Sequence, residues 1–160
     1  MNKIKFGTDG WRGIIAKDFT FENVFKVAQA SAEILAETYS NLTVSRRILI
    51  GYDRRFLAEK FAQITAVAVQ EMGFDVSLAQ TYAPTPALSW GVKAYNYLGA
   101  LVLTASHNPA NYLGLKVKGA FGGSVDTDVT AKIEDLLAKN LTFSRPCGLI
   151  DTFDPWESYC

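Results

Sequence analysis

The chain has 160 residues, of which 49% are hydrophobic, and its 16 basic and 16 acidic side chains balance to a formal net charge of zero. This length suits one domain with a substantial core. General nucleic-acid binding needs an excess of basic side chains, so the charge balance argues against a nucleic-acid partner.

Targeting and redox signals are weak in this sequence. The first residues lack the apolar core of a signal peptide, and no segment reaches the roughly 18 unbroken apolar residues of a membrane span. The cysteines are Cys147 and Cys160. With one histidine they make neither a four-ligand zinc site nor a disulfide framework. We therefore expect a soluble cytoplasmic protein without a membrane partner.

The first half of the chain is predicted to form two helices around one strand. Thr20 is an expected N-cap for a helix over Phe21–Tyr39, which has one small or apolar face. Arg47–Tyr52 is apolar on both faces and predicts a buried strand. A second helix is expected over residues 57–72, with Gly73 as a left-handed C-terminal cap. The predicted apolar stripe of this helix is Phe61, Ile64, Val67 and Ala68.

The second half continues the alternation. Asp75–Ala79 predicts a short strand, and Pro84-Thr85-Pro86 opens a third helix that reaches about Tyr95, because proline suits a first helical turn. Residues 98–103 predict a buried strand. Residues 113–118 alternate apolar and polar side chains, which predicts a more exposed strand. A last helix is expected to begin at Asp126.

Strands separated by helices favour parallel pairing with helices on both faces of the sheet. The predicted fold class is therefore α/β, a three-layer α/β/α sandwich with a mostly parallel mixed sheet. Residues 1–143 are expected to form this domain. Residues 144–160 are less regular and keep large apolar side chains, so we predict a linker toward a second domain.

Two polar segments are candidates for binding phosphate. In Phe6-Gly-Thr-Asp-Gly-Trp-Arg-Gly13, glycines allow close backbone approach and Arg12 can grip a phosphate with two hydrogen bonds. The alternative is a turn in which Asp9 pairs with Arg12. In Gly51-Tyr-Asp-Arg-Arg55, Asp53 and Arg55 can orient a phosphate-binding loop, or they form a structural ion pair that caps the next helix. Pro84-Thr85-Pro86 is expected to be a rigid connection without a catalytic role.

The segment Thr104-Ala-Ser-His-Asn-Pro109 follows a buried strand and holds the only histidine of the chain. A serine hydrolase is disfavoured because the side chains of Ser106 and His107 are neighbours that usually diverge, and the Gly-x-Ser-x-Gly elbow is missing. A metal-only site lacks ligands. Phosphoryl chemistry fits better, because a serine can carry a covalent phosphate and Lys116 and Arg12 would offset its charge. A purely structural hydrogen-bonded turn remains the alternative.

These motifs together resemble the α-D-phosphohexomutases, the phosphoglucomutase/phosphomannomutase superfamily. Thr104-Ala-Ser-His-Asn-Pro109 is similar to the phosphoserine signature of that family. The segments at residues 6–13, 51–55 and 84–86 and Gly114-x-Lys116 resemble its other first-domain motifs, in the same order. One difference is Leu113, where the family commonly has asparagine.

The resemblance implies that Ser106 is carried as phosphoserine and passes its phosphoryl group to a hexose 1-phosphate. The product, a hexose 1,6-bisphosphate, reorients and returns its other phosphate, and the free bisphosphate acts as an activator. Arg12 would contact the phosphoserine, and Lys116 and His107 would handle protons, with Lys116 the first candidate. The resemblance also assigns phosphate binding to Asn108. The residues that support the site structurally would be Thr8, Asp9, Asp53 and Arg55.

Other parts of a complete phosphohexomutase are missing from this sequence. The family's Mg²⁺ touches the phosphoserine oxygen, so Ser106 is the one metal contact expected here, and the aspartate loop with the other ligands is absent. The sugar-selecting segment and the distal phosphate loop are absent too. The resemblance thus implies a first domain that is inactive alone and needs a hexose phosphate and later domains of the same polypeptide. Glucose is the first expectation for the sugar, then mannose and glucosamine. A non-catalytic domain that binds a phosphosugar or a protein, or a phosphate-sensing module, is the alternative.

Overall fold

The computed structural model describes residues 3–7, 10–139 and 145–160. Within these residues, strands and helices alternate along most of the chain. In chain order they are β1 (Trp11–Ile14), α1 (Phe21–Tyr39), β2 (Arg47–Tyr52), α2 (Ala58–Glu71), β3 (Asp75–Ala79), α3 (Thr85–Ala94), β4 (Gly99–Leu103), β5 (Tyr112–Gly119), α4 (Thr127–Leu137) and β6 (Ile150–Phe153). None of the helices among the described residues combines the length and apolar character that crossing a membrane requires.

The six strands form one mixed sheet in the order β1-β5-β4-β2-β3-β6. The pairs β2–β3, β2–β4 and β3–β6 are parallel, whereas β4–β5 and β1–β5 are antiparallel. Helical crossovers connect β2 to β3 and β3 to β4, and such crossovers keep these strands parallel. A short loop joins β4 to β5 and turns the chain back on itself. The predicted mostly parallel mixed sheet is confirmed.

Helices cover both faces of this sheet. A Cβ atom on Gly51 of β2 would lie 2.5 Å from the Leu88 side chain of α3, whereas one on Gly99 of β4 would lie 3.0 Å from Leu35 of α1. Gly99 is in register with Ile48, one residue out of phase with Leu49 and Gly51. Since successive residues point to opposite faces, α1 and α3 lie on opposite sides. Helix α1 also packs against α2 and α4, which confirms the three-layer sandwich.

Local sequence signals predicted the ends of α1 and α2 to within one residue. The Thr20 hydroxyl accepts a hydrogen bond of 3.1 Å from the amide of Asn23, as expected of an N-cap. Gly73 follows α2 with a φ of +86°, the left-handed conformation that was predicted. Val67 was wrongly placed in the apolar stripe of α2, since it is 39% exposed. Phe61 and Ala68 of the predicted stripe are buried, and so are Thr65 and Val69, which were not predicted.

Strand β5 differs from its prediction. The alternation of apolar and polar side chains is present, but residues 113–119 are all buried, including Lys116 at 9% and Lys118 at 7% exposure. The strand lies inside the sheet, between β4 and β1, and helix α1 packs against it. Both the apolar and the polar positions are buried, so the expectation of an exposed strand was wrong.

Residues 145–160 add a strand that sequence analysis did not predict. Strand β6 pairs in parallel with β3, and its Phe153 is buried. Ahead of it, Arg145 binds Glu33 of α1 at 2.7 Å. This segment therefore extends the sheet at its edge. The predicted boundary between residues 143 and 144 lies outside the described residues, and the division into domain and linker stays a prediction.

Candidate functional site

The loop between β4 and β5, residues 104–111, forms the centre of the candidate site, and we call it the serine loop. It begins where the Thr104 amide donates to the Gly114 carbonyl at 2.9 Å. The Asn108 amide then donates to the Ala105 carbonyl, and the Tyr112 amide to the Pro109 carbonyl, both at 3.0 Å. These short-range bonds fold the segment into a tight turn at the carboxyl end of a core strand. In α/β sheets this is where ligands bind.

Ser106 occupies the left-handed backbone region, with a φ of +51°, and its side chain is exposed. A residue with a Cβ atom adopts this region at a cost of roughly 1–2 kcal/mol, so the surrounding contacts must impose it. One such contact is the hydrogen bond of 3.2 Å from the Ser106 amide to the hydroxyl oxygen of Thr104. The loop therefore presents the serine hydroxyl from a conformation that serine rarely adopts.

Asp53, just after β2, connects the serine loop to the neighbouring strand. Its Oδ2 accepts a hydrogen bond of 2.5 Å from the Thr104 hydroxyl, and its Oδ1 accepts one of 2.9 Å from the backbone amide of Arg55. The N-cap of α2 is Leu57, which makes no side-chain capping bond. The helix-capping alternative for Asp53 and Arg55 is therefore wrong, and Asp53 instead holds the start of the serine loop.

Arg55 binds the serine loop through backbone carbonyl oxygens. Its Nη2 donates to the carbonyls of Ser106 at 2.7 Å and Asn108 at 2.6 Å. Its Nη1 donates to those of Pro109 at 2.8 Å and Tyr112 at 3.3 Å. One half-buried guanidinium thus contacts most of the loop.

Arg12 on β1 reaches the serine loop from the other side. Its Nη1 donates a hydrogen bond of 2.7 Å to Oδ1 of Asn108. Gly114 makes this approach possible, because a Cβ atom there would lie 2.7 Å from the Thr104 carbonyl oxygen and 2.8 Å from that of Trp11. The predicted support residues Thr8 and Asp9 lie outside the described residues, as does the expected pairing of Asp9 with Arg12.

Lys116 lies on the same face of the sheet as Arg12. Arg12 is in register with Gly114, and Lys116 is two residues further along β5. Residues two apart on a strand share a face, so both cations lie on the sheet face that borders the serine loop. Gly10, with a φ of +116°, packs against the backbone of Leu115 and Lys116, where a Cβ atom would lie 2.5 Å from the Leu115 oxygen. Gly10 therefore lies beside Lys116.

His107 is exposed next to Ser106. The hydrogen bonds that hold Ser106 come from its own amide and carbonyl groups, toward Thr104 and Arg55. Within the described ranges, the two side chains do not form the nucleophile–base pair of a serine hydrolase. The arrangement is instead an exposed hydroxyl with basic side chains on the bordering sheet face, which suits an anionic group on Ser106.

The described residues do not build a Mg²⁺ site on their own. No group of three carboxylate, imidazole or thiolate side chains converges anywhere in the described ranges. Asp53, the carboxylate nearest the loop start, uses both oxygens on Thr104 and on the Arg55 amide. Ser106, the one metal contact that was predicted, stays a prediction.

An open cleft of about 690 Å³ borders the serine loop on the side of β2 and β3. The exposed guanidinium of Arg54 lies 4.0 Å from the ring centroid of Tyr82 and also hydrogen-bonds the tyrosine hydroxyl. Arg54 therefore turns toward Tyr82, whereas its neighbour Arg55 turns toward the serine loop. Pro84 is the N-cap of α3, as the proposed rigid connection requires.

Sequence analysis missed two residues that shape this site. Thr104, the first residue of the serine loop, links Asp53 to the Ser106 amide, and Gly114 allows β1 to approach the loop closely. A threonine at the end of a buried strand was the available signal for the first. A glycine in a strand suggests close backbone approach, which was the signal for the second.

Comparison with known proteins identifies similar proteins. Residues 3–143 match the family described as phosphoglucomutase/phosphomannomutase, alpha/beta/alpha domain I. A phosphoglucosamine/phosphogalactosamine mutase from Sulfurisphaera tokodaii is 37% identical over 131 residues, which are 82% of this chain and 27% of that protein. A phosphoglucomutase from Staphylococcus aureus is 37% identical over 129 residues, 81% of this chain and 23% of that protein.

A solved structure shows the same fold. A phosphomannomutase candidate from Thermus thermophilus superposes with a TM-score of 0.85 at 37% identity, over 99% of this chain and 35% of that chain. This chain therefore spans between 23% and 35% of the length of these similar proteins.

Proposed function

Because this chain belongs to the phosphoglucomutase/phosphomannomutase family, we propose that it is the phosphoserine domain of a hexose phosphate mutase. The full protein would interconvert hexose 1-phosphate and hexose 6-phosphate. The observation that most supports this is the exposed Ser106 in its left-handed turn, on a loop that Arg12 contacts and beside the sheet face of Lys116. A hydroxyl held in this way suits a group that repeatedly gains and loses a phosphate.

The proposed reaction has two phosphoryl transfers. In the first, the bond between phosphorus and Ser106 Oγ breaks and Oγ gains a proton, while the 6-hydroxyl oxygen of the sugar 1-phosphate bonds to phosphorus and loses its proton to a base. In the second, Ser106 Oγ loses its proton and takes the phosphoryl group from the 1-oxygen of the reoriented bisphosphate, and the 1-oxygen gains a proton. Lys116 is the first candidate for holding that proton, and His107 is the second.

The charged residues around Ser106 would stabilise the transferring group. Phosphoryl transfer spreads negative charge over the phosphoryl oxygens, so preorganised cations lower its barrier. Arg12 and Lys116 supply those cations, and Asn108 orients Arg12 through its amide oxygen. Thr8, Asp9, Asp53 and Arg55 would support the loop from around it. Ser106 would contact the Mg²⁺ of the family, whose other ligands would lie in other domains.

Two of the similar proteins bear on the identity of the sugar. This chain is 37% identical both to a phosphoglucosamine/phosphogalactosamine mutase and to a phosphoglucomutase. Equal similarity to mutases of different sugars suggests that this domain carries the phosphate chemistry rather than the sugar choice. We keep glucose as the first candidate and expect the domain alone to be inactive. A cytoplasmic location and partner domains on the same polypeptide are part of the same proposal.

The test is the replacement of Ser106 in the complete polypeptide. We expect Ser106→Ala to abolish conversion of glucose, mannose and glucosamine 1-phosphates, measured by product formation. Ser40→Ala, at the exposed end of α1, is the matched control and keeps the parental rate. Full activity of Ser106→Ala would overturn the proposal. A parent protein that binds these sugars without turning any of them over would favour a non-catalytic binding domain instead.

A further inference from the structure

We propose that Arg55 is a positioning residue for phosphoryl transfer, which fixes the backbone of the serine loop and thereby the place of the Ser106 side chain. This inference rests on the proposed function of Ser106. It assigns to Arg55 an effect on the rate of transfer, beyond general support of the fold.

The first observation is the number of loop carbonyls that one side chain binds. Arg55 donates to four carbonyl oxygens of the loop and of Tyr112 at its end, at distances of 2.6 to 3.3 Å. A guanidinium is planar and carries five donors in a fixed fork, so four bonds define the relative positions of the acceptors. A lysine has three donors on one atom and cannot reproduce that pattern.

The second observation concerns both backbone polar groups of Ser106. The carbonyl of Ser106 binds Arg55 directly. The amide of Ser106 binds the Thr104 hydroxyl, which donates to Asp53, and the other oxygen of Asp53 holds the amide of Arg55. The two ends of the residue are thus connected to the same three-residue segment after β2. This closed set of bonds can impose the left-handed φ of +51° that serine otherwise disfavours.

The third observation is electrostatic. Several carbonyl oxygens within one tight loop repel each other and would also repel a phosphoryl group on Ser106. Binding to Arg55 directs those oxygens toward a positive charge. The basic residues that would face a phosphoryl group on Ser106 are then Arg12, which binds the Asn108 side chain, and Lys116. Arg55 therefore acts on the reaction through the loop, without contact with the transferring group.

The consequence is a specific kinetic signature. A loop that is displaced by about 1 Å can lower the rate of a positioned reaction by about 10²-fold. Substrate binding, for which most contacts would be made by other domains, should change little. Loss of the Arg55 contacts should therefore lower kcat and leave KM almost unchanged.

The experiment compares Arg55→Lys and Arg55→Met with Arg46→Lys and Arg46→Met in the complete polypeptide. Arg46 is the matched control, because it is an exposed arginine just before β2, at the amino end of the strand, and it packs over the Phe74 ring. Steady-state kcat and KM are measured with the best hexose 1-phosphate. The rate of phosphoryl transfer from hexose 1,6-bisphosphate to Ser106 is followed by intact mass. Amide hydrogen exchange over residues 104–112 reports the loop itself.

We expect both Arg55 variants to lower kcat and the transfer rate by about 10²-fold, with KM within about threefold and faster exchange in the loop alone. The Arg46 variants should keep the parental values. Arg55 variants that fold and keep kcat within about threefold of the parent overturn the inference. A lower kcat that comes with a higher KM and faster hydrogen exchange throughout the protein overturns it too, because it would show a general loss of structure. If Ser106→Ala is as active as the parent, the proposed function fails; if that variant is inactive while Arg55→Met is not impaired, only the inference fails.

Discussion

The Arg12 guanidinium donates a hydrogen bond of 2.7 Å to Oδ1 of Asn108, which joins β1 to the serine loop across 96 positions of sequence. In the proposed function, this bond would let Asn108 orient the Arg12 cation. The predicted phosphate-binding role of Asn108 would then be exerted through Arg12.

Removing this bond should weaken catalysis in a coupled manner. We expect Asn108→Ala and Arg12→Lys each to lower kcat/KM by about tenfold or more, since a hydrogen bond to a charged group contributes about 1.5–3 kcal/mol. The double variant should lose less than the product of the two effects, because both changes remove the same contact. Fully multiplicative losses in a double-mutant cycle would show that the two residues act independently.

The backbone conformation of Ser106 predicts opposite effects of two small substitutions on stability. Glycine adopts a φ of +51° without strain, whereas alanine keeps the strain of serine. We expect Ser106→Gly to raise the free energy of unfolding by about 1 kcal/mol relative to Ser106→Ala. Denaturant unfolding of both variants measures the difference. Equal stabilities, or a less stable glycine variant, would contradict a strained serine.

Gly114 should tolerate no side chain. A Cβ atom at this position would meet backbone oxygens of Thr104 and Trp11 at 2.7 and 2.8 Å, and backbone atoms in a paired sheet cannot move aside cheaply. We expect Gly114→Ala to lower the free energy of unfolding by about 1–3 kcal/mol. Gly7→Ala is the control, because its Cβ would meet its nearest neighbour at 3.6 Å, an ordinary contact. A Gly114→Ala protein as stable as this control would refute the close approach of β1.

Two buried tyrosines predict a loss of stability at high pH. Burial raises the pKa of Tyr52, and the charge of Glu59 adds to it; burial and then Asp126 raise the pKa of Tyr39. A raised pKa in the folded state means that stability is fully present below about pH 10, the ordinary tyrosine value, and falls as the pH rises through the folded pKa. Tyr52→Phe should make the stability less dependent on pH in this range.

The control for this effect is Tyr159→Phe, because Tyr159 is exposed. Urea unfolding curves at about pH 8 and about pH 11, on either side of the ordinary tyrosine pKa, give the free energy of unfolding at each pH. The change between the two pH values is then compared between Tyr52→Phe and Tyr159→Phe. If Tyr52→Phe and Tyr159→Phe lose stability equally with rising pH, the assigned role of Tyr52 is wrong.

Much of the fold followed from local pattern. Helix α1 and strands β2 and β3 have the predicted bounds. Their ends are marked by residues close by in sequence, namely a capping residue, the limits of an apolar run, or a glycine. Strands β1 and β6 were missed, since each has only four residues and depends on a partner far away in sequence. The exposure of β5 was mispredicted for a related reason. Alternation along one strand does not show which distant elements pack over its two faces.

The candidate site was predictable as a set of residues but not as a geometry. Ser106, Arg12, Asp53 and Arg55 were recognisable from motifs that resemble those of a known family. The link from Asp53 through Thr104 to the Ser106 amide depends on two strands that become neighbours only in the sheet. The left-handed serine likewise results from contacts with distant residues, because its own side chain disfavours that conformation.

The central claim is that Ser106 carries the phosphoryl group between substrate positions. Intact and peptide mass spectrometry of the complete polypeptide tests it most directly, before and after mixing with hexose 1,6-bisphosphate and then with hexose 1-phosphate. We predict one phosphoryl group on Ser106 after the bisphosphate and its loss to the monophosphate at a rate no slower than turnover. Sustained turnover by a protein whose Ser106 never carries a phosphoryl group would contradict the account.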